Sequence, residues 1–298
     1  MAFQTPITIK TALDRVQSQE YVLPSIQREF VWKPDQICGL FDSLMQGYPI
    51  GSFLFWRMNP ETTKQYTFYG VLRDYHALNN RHCPVLDLAA DRDRSAILDG
   101  QQRLTSLNIG LRGSHAEKEP RKWWKNPDAY RKKELHLNLS RLAGENELGL
   151  KWDFKFIEAA KAKADEESAW FRVADVMSFE GGQDIFDVVH GLPNSTDAYK
   201  WLDKLYTVVH KDGLIPFFEE TEQDLEKVLN IFIRVNSGGT PLSYSDLLLS
   251  IATAQWQERD AREDVHRLVD ELNETGHGFG FSKDLVLKAG LVLTDIPS

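Results

Sequence analysis

The stretch AILDGQQRLTSL, residues 96–107, ends a short apolar run at Asp99 and Gly100 and continues with two glutamines and an arginine. This pattern predicts a buried strand over residues 95–98 that turns into a helix. The N–H groups and positive dipole end of such a helix favour a bound phosphate, and Arg103 would add a two-pronged donor. The stretch therefore predicts an anion site, although an ordinary Asp-Gly turn with a surface arginine explains the same residues equally well.

The elements before this stretch follow from hydrophobic spacing and from the positions of glycine and proline. The prolines favour an extended conformation over residues 23–32, and Pro34 then begins a helix with apolar residues at helical spacing. That helix is expected to end at Gly47 and to be followed by a buried strand over residues 52–56. The first segment would thus consist of an extended stretch, a helix and a buried strand.

A third organised segment begins near Thr221. Its apolar residues have helical spacing, and Arg234 lies at the end of that helix. Residues 235–241, VNSGGTP, are expected to form a turn, and Ser243 with Asp246 resembles a capping box that opens another helix. This turn would gather an arginine, an asparagine and a serine hydroxyl. Taken alone, however, the segment is better explained as two capped helices without a ligand.

The composition limits the classes of protein and partner. The chain has 298 residues, 42% of them hydrophobic, which suffices for one large domain or two. Its 35 basic and 44 acidic residues give a net charge of −9, which argues against unspecific coating of nucleic acid. Cys38 and Cys83 lack the paired spacing of a structural zinc site and favour a reducing compartment. Without a signal peptide or a membrane-length apolar run, we expect a cytoplasmic protein without membrane contact.

Several conspicuous side chains have ordinary explanations. The basic residues between Arg121 and Lys133 could line a local nucleic-acid groove, but a solvated face is the more common structure for such a run. The eight histidines show no metal-ligand spacing, so satisfied or exposed side chains are expected for all of them. Trp123 and Trp124 are expected to be exposed and could mark a partner surface in a scaffold.

Three motifs, taken in this order, resemble one protein family. They are PSIQREFVW at residues 24–32, LDGQQRLTSL at residues 98–107 and FIRVNSGGTPLS at residues 232–243. The combination is similar to the N-terminal domains of GmrSD-type modification-dependent restriction enzymes, a domain that phosphorothioate-sensing defence proteins of the SspE type also carry. The similarity runs from about Leu23 to the C-terminus, with little contribution from the middle third.

The resemblance implies a mixed α/β fold, because the family is considered related to ParB/sulfiredoxin-like proteins. A small-sheet core would carry the DGQQR motif, and the C-terminal half would be mainly helical. We expect residues 1–120 to form the ParB-like core and residues 121–298 to complete the nucleotide site, either as two units or as one continuous domain.

The resemblance also implies an activity, since relatives bind and hydrolyse nucleoside triphosphates and require the DGQQR motif. Carried over, Asp99 would bind Mg²⁺ or orient a water. Gly100 and the amides of Gln101 and Gln102 would hold phosphate oxygens, and a glutamine side chain could position the attacking water. Arg103 would neutralise phosphate charge. The complete set of nucleotide-binding residues implied by the three motifs adds Gln27, Arg28, Thr105, Arg234, Asn236, Ser237 and Gly238 to this group.

The implied partners are DNA and a nuclease. Relatives are thought to couple nucleotide turnover to recognition of modified DNA, glucosylated for the GmrSD type and phosphorothioated for the SspE type. The acidic net charge would confine DNA to one groove, with affinity that falls steeply as salt rises. Full-length relatives usually continue into a His-Asn-His nuclease domain, whose signature is missing here. We therefore expect a truncated protein or a stand-alone sensor with a separate nuclease chain, and homo-oligomerisation stays open.

Two other classes of function fit the same residues. The arginines could contact DNA phosphates in a binding module that uses no nucleotide. Alternatively, the domain could itself be a ParB-like DNA nuclease or nickase that depends on Asp99. The favoured hypothesis is a nucleotide-hydrolysing regulatory domain of a prokaryotic anti-phage restriction system.

Overall fold

A mixed sheet of seven strands forms the centre of the described part of the chain. The computed structural model describes residues 1–25, 29–80, 82–89, 91–164, 168–236, 249, 261–275 and 279–293. In chain order, the strands are β1 (Ala2–Ile7), β2 (Tyr21–Pro24), β3 (Phe53–Met58), β4 (Phe68–Tyr69), β5 (Asp74–His76), β6 (Val85–Leu86), β7 (Arg94–Asp99), β8 (Ser114–Ala116), β9 (Glu134–Asn138), β10 (Phe154–Ile157), β11 (Trp170–Arg172) and β12 (Ile215–Glu220).

Helices pack against the sheet and follow β12 in the described part of the chain. They are α1 (Ile9–Gln17), α2 (Pro34–Gln46), α3 (Pro60–Gln65), α4 (Gln101–Arg112), α5 (Ala159–Ala164), α6 (Gly182–Val189), α7 (Ser195–His210), α8 (Leu225–Asn236), α9 (Ala261–Glu274) and α10 (Lys283–Leu293), with short 3₁₀ turns at Pro127–Ala129 and Val173–Ser178. None of these described helices combines the length and the apolar character needed to cross a membrane. The strands and helices together confirm the predicted mixed α/β class.

The strand order of the central sheet is β1-β12-β3-β7-β2-β4-β6. β7 lies in the middle, antiparallel to β3 and parallel to β2. β12 lies between β1 and β3, and it pairs with β3 in parallel. The sheet thus takes strands from both sides of residue 120, and a domain boundary at that residue stays a prediction.

Alternate residues of the central strands enter two separate apolar cores, as the two-residue repeat of a strand requires. Phe55 and Ile97 belong to the larger core, against which α1, α2, α4 and α7 pack. Trp56 and Leu98 belong to the smaller core, which α8 covers through residues such as Phe232. Helices α4 and α8 therefore lie on opposite faces of the sheet.

Local sequence signals locate the elements around the DGQQR motif correctly. α2 has Pro34 as its first residue and ends at Gly47, whose φ of +79° is the left-handed conformation that favours glycine. The predicted strand over residues 52–56 corresponds to β3. The junction itself is confirmed: β7 ends at Asp99, and α4 begins directly after Gly100.

One prediction about the C-terminal half differs from the structure. Val235 and Asn236 are still helical, so the predicted turn does not begin at residue 235. Val228 and Phe232 are buried against the sheet, and the helix continues for one further turn beyond Phe232. The remainder of the turn, with Ser237 and Gly238, lies outside the described residues.

The middle region is also more ordered than its polar composition suggests. Strands β10, β9 and β11 form a separate sheet there, and β9 buries Leu135 and Leu137 in the larger core.

The two neighbouring tryptophans differ in exposure. Trp123 is exposed, as predicted, but Trp124 is half-buried with the Lys125 ammonium 4.8 Å from its ring centroid. The prediction of an exposed Trp124 is therefore wrong.

Part of the basic run over residues 121–133 is paired with carboxylates. Lys122 and Arg131 both form ion pairs with Glu119, at 2.6 and 3.4 Å. Arg131 also lies 3.2 Å from a carboxylate oxygen of Glu158. These contacts fit the solvated face that we expected as the more common structure for such a run.

Candidate functional site

Gly100 makes the abrupt change from β7 to α4 possible. Its φ of +92° lies in the left-handed region, and a Cβ atom there would stand 2.2 Å from the Phe53 ring. Gly100 occupies the N-cap position but has no side chain with which to cap the first turn. The N–H groups at the start of α4 consequently lack the usual side-chain acceptor. This leaves the positive end of the helix beside Asp99.

Asp99 and Arg103 form an ion pair across that first turn. The Nη2 atom of Arg103 lies 2.9 Å from Oδ2 of Asp99, and the two side chains retain 17% and 34% exposure. The same guanidinium donates to the carbonyl oxygens of Ile50, at 2.6 Å, and Ser52, at 3.0 Å. Arg103 thus links the loop before β3 to the end of β7.

Phe53 completes the support of this arginine. The guanidinium carbon lies 4.6 Å from the Phe53 ring centroid, which is cation–π geometry. Burial lowers the pKa of Arg103, while the Asp99 carboxylate acts in the opposite direction. An arginine remains charged after such a shift, so Asp99 faces a fixed positive charge. The pair can present the remaining carboxylate oxygen to a cation or a water.

Gln102 is committed to the backbone of the N-terminal segment. Its Oε1 accepts from the N–H of Val31 at 3.0 Å, and its Nε2 donates to the carbonyl of Glu29 at 2.8 Å. Gln102 is only 7% exposed, so both halves of this buried amide are satisfied. Its role in the structure is to hold residues 29–31 against the start of α4.

Gln101 is the opposite case. It is 3% exposed, and neither its amide nitrogen nor its amide oxygen has a hydrogen-bond partner among the described residues. The hydroxyls of Thr105 and Ser106, one turn further along α4, are likewise buried without a described partner. Leaving a buried polar group unpaired costs about 1–3 kcal/mol. Such unpaired groups are rare in folded proteins, so Gln101 and Thr105, which lie one turn apart at the start of α4, are candidates to pair with a polar ligand or water.

Comparison with known proteins identifies the family. The chain matches the family described as "GmrSD restriction endonuclease, N-terminal domain" over residues 9–253, a range that contains the whole β7–α4 junction. The chain belongs to this family. Membership indicates that this GmrSD N-terminal domain is a component of a restriction system. A protein of Methanocaldococcus jannaschii, "Uncharacterized protein MJ0686", is 39% identical over 101 residues. That match covers 33% of this chain and 16% of the relative, so the chain spans a small part of the relative's length.

The other predicted site residues of the GmrSD N-terminal domain are only partly described. Arg234 is exposed near the end of α8, where it shares a shallow surface depression with Asp224, Lys227 and Asn230. Helix α8, which carries Arg234, and helix α4 pack on opposite faces of the sheet. Asn236 is the last residue of α8, and Gln27, Arg28, Ser237 and Gly238 lie outside the described residues. That the three motifs converge on one pocket stays a prediction.

Sequence reasoning missed two groups of residues in the GmrSD N-terminal domain. The first is the support of Arg103, which is formed by Ile50, Ser52 and Phe53. The one local signal for it was Gly51, the second glycine in the loop between α2 and β3. The second is a cluster of Glu29, His82 and His266 beside the segment that Gln102 holds. These three residues lie far apart in the sequence, so no spacing rule could have joined them.

Proposed function

We propose that this domain binds and hydrolyses a nucleoside triphosphate with Mg²⁺ at the N-terminal end of α4. One observation carries the proposal: an uncapped helix N-terminus stands next to Asp99 and to the buried, unpartnered amide of Gln101. Phosphate oxygens would accept from the free N–H groups of the first turn, with Gly100 at its start. The family resemblance points to the same chemistry.

The site residues divide into holding and positioning roles. Asp99 offers an oxygen ligand of the kind that Mg²⁺ prefers, with Arg103 fixing its orientation. Bound there, Mg²⁺ would neutralise charge on the phosphates. Arg103 would further stabilise negative charge as the terminal phosphate separates.

The two glutamines receive different roles. Both amide groups of Gln102 already form hydrogen bonds with the backbone of residues 29 and 31, so we assign Gln102 the role of positioning that segment. Gln101 has an uncommitted amide and is the better candidate for orienting the attacking water. The Thr105 hydroxyl, four residues later on the same helix side, would supply a further contact.

The remaining nucleotide contacts are proposed by motif. Gln27 and Arg28 precede the segment that Gln102 holds, and Arg234, Asn236, Ser237 and Gly238 belong to the end of α8 and the residues after it. We propose that these residues also bind the nucleotide. Nucleotide turnover would then be coupled to recognition of modified DNA, and a nuclease domain or partner chain would cut it. As a part of an anti-phage system, the domain would act in the cytoplasm.

The sharpest test compares two aspartates that each pair with an arginine of α4. Asp99→Asn keeps the shape of the side chain but removes its charge, and should lower Mg²⁺-dependent phosphate release by about 100-fold or more. Asp14→Asn is the matched control, because Asp14 pairs with Arg112 at the other end of the same helix. This control should hydrolyse the triphosphate like the unmodified protein.

Each alternative function predicts a different result. A binding module without nucleotide use would show no calorimetric heat with any triphosphate and Mg²⁺. A nickase would cut plasmid DNA with Mg²⁺ or Mn²⁺, and the Asp99→Asn variant would lose that cutting. Equal hydrolysis by the two aspartate variants would overturn the proposed site.

A further inference from the structure

Glu29, His82 and His266 bring three metal-binding side chains together next to the proposed nucleotide site. One ligand atom from each residue lies within 4.8 Å of the other two. The Glu29 carboxylate contacts Nδ1 of His82, and Nδ1 of His266 lies 3.2 Å from the same carboxylate oxygen. The three residues come from the segment after β2, the segment between β5 and β6, and helix α9. The tertiary fold alone creates this cluster.

The chemistry of the cluster suits a transition-metal ion. Two imidazole nitrogens and one carboxylate oxygen form a recurring protein site for zinc, with a fourth position left for water or substrate. Mg²⁺ and Ca²⁺ prefer oxygen ligands throughout, so two imidazoles disfavour them. The side chains keep between 13% and 34% exposure, so an ion can reach them from solvent.

The surroundings also resemble the support that metal ligands receive. Asp270 places a carboxylate oxygen 3.8 Å from Nε2 of His82, the ring nitrogen that faces away from Glu29. A carboxylate on the distal nitrogen orients a ligating histidine and raises its basicity. Gln102 donates to the carbonyl of Glu29, which fixes the third ligand through its backbone. Each of these contacts limits the movement of a ligand.

The two histidine rings lie side by side. Their centroids are 4.4 Å apart, with the ring planes tilted by 39°. This spacing allows one ion to contact a nitrogen of each ring together with the Glu29 carboxylate.

We propose that Glu29, His82 and His266 bind one zinc-like transition-metal ion in this protein. The ion would join the segment after β2 to α9, beside the start of α4. This assignment does not depend on nucleotide hydrolysis, because Asp99 is not among the ligands. The metal would act as a clamp on the segment that Gln102 also holds.

The test is a zinc titration of the full chain after chelator treatment. Calorimetry with zinc chloride, in excess Mg²⁺, should give one bound equivalent for the unmodified protein and a higher Tm in thermal unfolding. His82→Gln and His266→Gln should each weaken zinc affinity by about 100-fold. His190→Gln, which alters an exposed histidine at the end of α6, should bind zinc as the unmodified protein does.

Two further measurements keep the inference separable from folding and from the proposed function. If a histidine variant fails to fold, the isosteric Glu29→Gln variant should still show the loss of zinc affinity. Asp99→Asn should retain zinc binding while it loses phosphate release. Failure of the unmodified protein to bind zinc in excess Mg²⁺, or unchanged affinity in folded His82→Gln and His266→Gln, would overturn the metal site.

Discussion

The two ends of helix α4 are built with the same charged parts. At the N-terminal end, Arg103 bonds to the Asp99 carboxylate and to the carbonyl of Ile50 at 2.6 Å. At the C-terminal end, Arg112 bonds to the Asp14 carboxylate and to the carbonyl of Leu13, also at 2.6 Å. Judged by their arginines alone, both ends would be structural anchors.

The ends differ in how their buried polar groups are satisfied. Near the C-terminal end, Asn108 donates to the carbonyl of Leu72 at 3.0 Å, and the Ser114 hydroxyl donates to Asp74 at 2.6 Å. Near the N-terminal end, the whole Gln101 amide and the Thr105 hydroxyl have no described partner, whereas near the C-terminal end Nε2 of His115 lacks one among the described residues. A folded protein rarely leaves such groups unpaired unless something else pairs with them. The difference distinguishes an anchor from a candidate binding site.

The first prediction tests whether the glycines make equal structural demands at both ends. Gly100→Ala combines an unfavourable φ with a clash against Phe53, and Gly113→Ala would place a Cβ atom 1.8 Å from the carbonyl oxygen of Arg73. Each change should lower the free energy of unfolding by about 3 kcal/mol in urea titrations. Gly47→Ala is the control, because its φ is also positive but nothing lies within 4 Å.

The control should cost only about 1 kcal/mol, the strain of the backbone alone. A small effect of Gly100→Ala would mean that the junction is loose, and the contrast with the other end would then lose its structural basis. A large effect would establish that the fold itself requires glycine at residue 100, whether or not a ligand binds there.

The second prediction concerns the buried amides. Gln101→Leu removes an unpaired amide and should leave the free energy of unfolding unchanged or raise it by about 1 kcal/mol, while it abolishes nucleotide hydrolysis. Asn108→Leu leaves the carbonyl oxygen of Leu72 without its hydrogen-bond donor and should lower the free energy of unfolding by about 2 kcal/mol. Urea titration and phosphate release on both variants measure these effects. Similar destabilisation by both would show that the two ends do not differ.

The sequence was informative where the signal is local. Pro34 and Gly47 mark the ends of α2 because both residues act on their own backbone, and the DGQQR junction follows from an apolar run, a glycine and a helical repeat. The sequence did not predict strand β12, because that strand is defined by pairing with β1 and β3, which lie far away in the sequence. The same limit applies to the site, because neither the carbonyl partners of Arg103 nor the Glu29 cluster obeys any spacing rule.

The last prediction uses acid to test the C-terminal end of α4. His115, in β8 directly after that end, lies between the rings of Tyr75 and Phe156, and burial lowers its pKa to about 4. The unfolded chain therefore binds a proton near pH 6.5 that the folded chain refuses, so stability falls as the pH drops through that range. Lowering the pH from about 7 to about 5.5 should cost about 1 kcal/mol through this group. His115→Phe should remove this loss of about 1 kcal/mol, measured as the difference in unfolding free energy between urea titrations at the two pH values. Burial also lowers the pKa of His136 and His210, so these residues make both proteins less stable in acid to the same extent. If the variant lost stability with acid as steeply as the unmodified protein, His115 would not be the group that makes this end of the helix sensitive to acid.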